Sequence, residues 1–140
     1  MSSKYIFEDG FLIFIEYYND IEIISTGCSI RFLNGNIESI IMEIFANSDV
    51  HIIGTAPKIT SDDALQMHIS SLNNEINIYG KPKGKLCYFF NRNKKLILCW
   101  KILINAGDTK IVFLNALSGQ TVHEIHALTE PINAQKKSAQ

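Results

Sequence analysis

Isoleucine fills 23 of the 140 positions, and its placement constrains the fold more than any other feature of the chain. β-Branched side chains are stiff about χ1 and fit a pleated, half-buried surface better than a helix. The isoleucines stand in short apolar runs, most of them alternating with polar positions, and a period of two is the pattern of strands. Residues 11–18 form the first such run and residues 21–25 the second. Residues 28–33 and 37–45 flank Asn34-Gly35, a pair that supplies the positive φ angles of a tight hairpin turn. The second arm of that hairpin is long enough to carry some helix.

A helix start stands out at Thr60-Ser61-Asp62-Asp63-Ala64-Leu65. Thr60 is placed to cap the amide three residues on, and the two aspartates favour the positive end of the helix dipole. Leu65, Ile69, Leu72 and Ile76 recur at helical spacing, with Met67 nearer the other side, and the pattern ends near Asn73-Asn74. Gly80, Pro82 and Gly84 then mark a loop. Beyond it the period returns to two, over residues 86–90, 95–105, 110–115 and 120–125, with turns at Asn91-Arg92-Asn93, Ala106-Gly107-Asp108 and Ser118-Gly119. Leu96, Leu98, Trp100, Ile102 and Ile104 share one face of the longest strand, while Ile97, Cys99, Lys101 and Leu103 share the other. The second half thus reads as a helix followed by a four-stranded antiparallel meander, the helix covering the Trp100 face. The opposite face, with Ile97, Cys99 and Leu103, is left needing a cover: the N-terminal part, a second copy or a partner.

Composition limits the partners. With 13 Lys+Arg against 14 Asp+Glu, net −1, the chain lacks the basic surplus of a nucleic-acid binder. At 46% apolar and 19% charged it is no disordered segment. A chain of this size buries roughly two thirds of its unfolded surface. No 18-residue stretch is free of charge, so no membrane-spanning helix is expected. The N-terminus lacks the basic and apolar regions of a signal peptide. The chain therefore reads as cytoplasmic, or as secreted if it is a processed piece of a longer precursor. Cys28, Cys87 and Cys99 are too few and too widely spaced for a disulfide framework or a zinc knuckle, and read as reduced thiols.

From residue 59 to 126 the chain carries the helix opening ITSDDAL, the strands KLCYFF and KLILCWKILI, and the closing segment TKIVFLNALSGQTVHEI. This block resembles a PepSY domain. The match runs through Cys99-Trp100-Lys101-Ile102 in the central strand. It is most specific in the last hairpin, from Val112-Phe113-Leu114-Asn115-Ala116 through Ser118-Gly119 to Val122. Upstream, GCSIRFLNGNIESIIMEIF resembles the cystatin-like module that precedes PepSY in thermolysin-type propeptides, with Ile30, Phe32, Asn34, Gly35, Ile37 and Ser39 at the matching hairpin positions. Together the two resemblances span residues 27–126. They imply an α+β protein of two small lobes, each an antiparallel sheet with a helix on one face. The lobes would be residues 1–56 and a PepSY-like domain at 57–128, followed by a flexible tail at 129–140. They also imply a protein that is not an enzyme, and that binds and inhibits or chaperones a thermolysin-type metalloprotease by covering its cleft. The chain has neither an H-E-x-x-H zinc helix nor the glycine-rich lead into a mature enzyme. The resemblance therefore implies a free-standing propeptide-like protein or one cut from a precursor. The other reading is a structural or regulatory module that self-associates, as a homodimer, through an apolar sheet face.

No residue cluster points to catalysis, a cofactor or a metal. His123 and His126 bracket Glu124, but their spacing of three on a strand sends them to opposite faces, unlike the helical i, i+4 pair of a zinc site. Asp62 and Asp63 are accounted for by the helix dipole, Cys99 has no base nearby in the pattern, and Lys81, Lys83 and Lys85 read as a solvated loop. The partner-binding candidates are Ile97, Cys99 and Leu103 on the uncovered face, with His123, Glu124 and His126 on the last strand.

Overall fold

Short strands joined by tight turns dominate the computed structural model, which describes residues 2–24, 26–43, 50–72, 78 and 80–126. Five strands come first: β1 (Ser2–Glu8), β2 (Phe11–Tyr18), β3 (Ile21–Ile24), β4 (Gly27–Leu33) and β5 (Asn36–Glu43). The short β6 (His51–Ile53) and the helix α1 (Ser61–Ser71) follow. Four strands complete the chain: β7 (Gly84–Phe90), β8 (Lys95–Ala106), β9 (Asp108–Asn115) and β10 (Thr121–His126). The Asn34-Gly35 hairpin forms as predicted, with φ of 53° and 78°. Asp9-Gly10, at 51° and 78°, turns β1 into β2 in the same way. The predicted ends of two strands at residues 25 and 44–45, the helix end at residues 73–74 with Ile76, and the tail at 129–140 lie outside the described residues.

The expected α+β fold of two lobes is not what forms. Ten strands make one mixed sheet in the order β10-β9-β8-β7-β3-β2-β4-β5, with β1 on β2 and β6 on β8. Among the described residues α1 is the single helix. The reason lies in β3. It leaves β2 through an antiparallel pairing at Tyr17 and Tyr18 and offers its other edge to β7, with Ile23 opposite Tyr88 and Ile24 opposite Phe89 in a parallel ladder. The three-residue β6 adds a second parallel pairing, on Lys95, Leu96 and Ile97 of β8. Strands from before Pro57 are thus hydrogen-bonded to strands after it. The first half, expected to be a cystatin-like unit, also lacks a helix among its described residues. Its second hairpin arm, where the sequence left room for one, is strand over Asn36–Glu43, paired with β4 along its length.

The core follows the same continuity. Ile23 from the first half packs fully buried with Tyr88, Leu96, Leu98 and Ala116 of the second. The Tyr88 ring meets Tyr18 edge-on at 5.6 Å, and its hydroxyl donates to the Gly54 carbonyl at 2.9 Å. A second cluster lies beneath α1, where Ala64 and Leu65 cover Ile102, Ile104, Val112 and Leu114. The helix starts as its sequence requires. The Thr60 hydroxyl accepts from the Asp63 amide at 3.1 Å, and Asp62 and Asp63 occupy the first turn. Trp100 anchors that end, its indole N–H donating to the Ile59 carbonyl at 3.0 Å.

Candidate functional site

The meander β7–β10 positions every residue the sequence singled out. Along β8 the alternation holds: Leu96, Leu98, Ile102 and Ile104 are buried on the helix side. The other face divides in two. Its inner half is closed by the sheet itself. Cys87 and Cys99 stand directly opposite one another and form a buried cluster with Phe113, against which Phe89, Ile97 and Ile111 pack. The ring of Phe89 on β7 lies 5.2 Å from that of His123 on β10, although β8 and β9 separate their strands. Only a strongly curled sheet brings them together. A register shift between Thr121 and His123 marks a bulge in β10, a device that bends a strand and raises its twist. Cys99 is therefore enclosed and offers no surface, and Ile97 is half-buried. Burial pushes the Cys87 thiol up to about 12 and the Cys99 thiol higher still, so both are inert, reduced hydrophobes.

The outer half stays open. Leu103, Ile111 and Ile125 face one another across β8, β9 and β10, with Leu103 50% and Ile125 43% exposed. His123 adds an exposed ring beside them, stacked on Phe113 at 6.1 Å.

Glu124 and His126 lie on the helix side, as the two-residue period demands. Glu124 is ringed by cations and imidazoles: Lys110 at 3.8 Å, His126 at 3.9 Å and the buried His68 of α1 at 3.6 Å. His68 was not singled out by sequence, although it follows Ala64 and Leu65 at helical spacing on the buried stripe. Its Nδ1 lies 3.1 Å from the Thr121 hydroxyl, while Nε2 has no hydrogen-bond partner among the described residues. Burial, and then Lys110, lower its pKa, and Glu124 opposes them. The ring clasps α1 to β10 at the rim of an open hollow of about 290 Å³ lined by Met67, Ser71 and Gly119–Thr121. Among the described residues no group of three acidic, histidine or cysteine side chains is arranged to hold a metal ion.

The most specific segment of the PepSY resemblance proves to be a turn. The Asn115 side-chain oxygen accepts from the Leu117 amide at 2.8 Å and from the Ser118 amide at 3.2 Å. Ala116 is fully buried, its amide donating to the Leu98 carbonyl at 2.9 Å. Gly119 adopts φ of 78° beneath Met67, a conformation that glycine adopts without strain.

No family model and no curated protein matches this sequence. Among solved structures, the C-terminal domain of Bacillus megaterium YpeB is similar, with a TM-score of 0.57 and 17% identity over 90% of this chain. The chain spans 55% of that structure. The likeness supports a PepSY-like fold.

Proposed function

We propose that the chain is a non-catalytic PepSY-like module that binds another protein, and that its partner is a metalloprotease of the thermolysin type, which it inhibits or helps to fold. The observation that carries this reading is the pair of exposed apolar side chains Leu103 and Ile125 on either side of the half-buried Ile111, with the His123 ring beside them. Neighbouring exposed apolar side chains rimmed by polar ones are the kind of surface that binding sites use. The inner half of the same face is rigidly packed, so the row is presented on a preorganised strand surface rather than a loop. With the chain nearly neutral, recognition rests on shape and apolar contact more than on charge steering. Titration against a thermolysin-type enzyme tests the reading. Stoichiometric inhibition, or a raised refolding yield of the enzyme, is expected, together with co-elution, and Leu103→Asp with Ile125→Asp abolishes it. No inhibition, no refolding effect and no co-elution at micromolar concentration would sink it.

A further inference from the structure

The N-terminal sheet carries a second apolar surface, larger than the first. β1, β2, β4 and β5 form a continuous antiparallel ladder in which opposite residues share a face. Tyr5, Phe14, Cys28 and Met42 make one row across all four strands. Phe7, Leu12, Ile30 and Ile40 make the next, and Phe32 with Ile37 extends it. Ring contacts tie the rows together, Tyr5 to Phe14 at 6.2 Å and Phe7 to Phe32 at 6.1 Å. None of these positions is charged.

The reverse face also exposes apolar side chains, Ile6 and Ile41, but charged groups are interspersed among them. There Arg31 lies over the Phe11 ring and pairs with Glu38 at 3.0 Å, and Lys4 lies over Tyr17. The first face carries a charge at its edge, at Glu16 opposite Ser3, while the rows beyond it are apolar, and so apolar a face is built to be buried. No described residue buries it: Tyr5, Phe7, Ile37, Ile40 and Met42 stand 57–73% exposed. At the usual size of such side chains this leaves on the order of 700 Å² open, close to the ~800 Å² per partner of a stable interface.

We infer that this face is covered by a second copy of the chain, the two N-terminal sheets packing face to face as a sandwich about a two-fold axis. Packed sheets stand about 10 Å apart with strands within about 30° of parallel, and a two-fold contact needs only a patch that complements itself. Rows of uncharged side chains do so without placing like charges together. A net charge of −1 leaves little repulsion between copies. The Leu103 row lies on the other half of the sheet and stays free in the dimer, so this contact stands independently of the protease reading.

Light scattering on the full chain tests it. Between about 1 and 100 µM, a range that brackets ordinary dimer affinities, the mass is expected to read twice 15.8 kDa. Ile40→Lys and Phe7→Lys, both at exposed positions, halve it with the circular dichroism of the fold unchanged. Ile41→Lys, the neighbouring residue on the reverse face, leaves it doubled. Cys28 lies within the patch and is the one cysteine that is not fully buried, so it alkylates faster in the Ile40→Lys protein than in the parent. A monomer throughout the concentration range overturns the inference, as does a dimer that survives Ile40→Lys or is broken by Leu103→Lys.

Discussion

At the scale of single residues, His68 ties helix α1 to strand β10, and burial lowers the pH at which it takes up a proton. Burial and then Lys110 disfavour protonation of the folded ring, with Glu124 opposing them and His126 also within reach of that carboxylate. The unfolded chain takes up its proton near 6.5, while the folded ring does so only at lower pH. Below pH 6.5 the unfolded state therefore binds more protons, and stability falls as pH drops from there through the folded pKa. Above that window the residue adds no pH dependence. Thermal melts at about pH 7.5 and about pH 5.5 are expected to lose more stability for the parent than for His68→Gln, whose amide keeps a partner for Thr121. A parent whose loss is no larger than the variant's excludes His68 as the source. Periodicity makes His68 visible in the sequence, since it continues the Ala64–Leu65 stripe. Its partners Thr121 and Glu124 are not visible there, because nothing local says which strand the helix crosses.

At the scale of elements, the strand limits of β2 and the meander order β7 to β10 follow from alternation and turn residues alone. Asp9-Gly10, lying between Tyr5-Ile6-Phe7 and Phe11-Leu12-Ile13, carries the same hairpin signal as Asn34-Gly35 and announces β1 just as plainly. The three-residue β6 has no such signal. Its pairing is parallel and distant, and neither turn chemistry nor period encodes a partner of that kind. On β10 the period of two correctly parts His123 from His126. The closure of Phe89 onto His123 depends on sheet curl, which a residue pattern does not record. Helix placement rests on a close approach that glycine permits: a Cβ on Gly84 would run into the Ser61 Cβ and lie 3.2 Å from Trp100. Gly84→Ala is therefore expected to cost about 1–3 kcal/mol as α1 is pushed off β7. Ser61→Gly in that background returns part of the loss, read as a coupling in a double-mutant cycle by denaturant unfolding. Simple additivity of the two changes refutes the contact as the cause.

At the scale of the molecule, the two-lobe expectation arises because the motifs on either side of Pro57 each look self-sufficient. The joining strand β3 has only four residues and pairs in parallel with β7, far along the chain. What decides the architecture is one side chain on that strand. Ile23 is 1% exposed and sits among Tyr88, Leu96, Leu98 and Ala116, so the N-terminal strands supply part of the core on which the meander is built. Two lobes with separate cores would unfold separately, whereas a shared core couples them. Trp100, the single tryptophan, reports the second half, and far-UV circular dichroism reports the strands of both. The two signals are expected to give one common midpoint. Ile23→Ala, a cavity in the shared core worth about 2–5 kcal/mol, is expected to lower the Trp100 midpoint as much as the dichroism midpoint, although it changes no residue after Pro57. Noncoincident transitions with an unmoved Trp100 midpoint would return the molecule to two independent lobes. A common shift means that a single short strand, through one buried isoleucine, makes the sheet one cooperative unit.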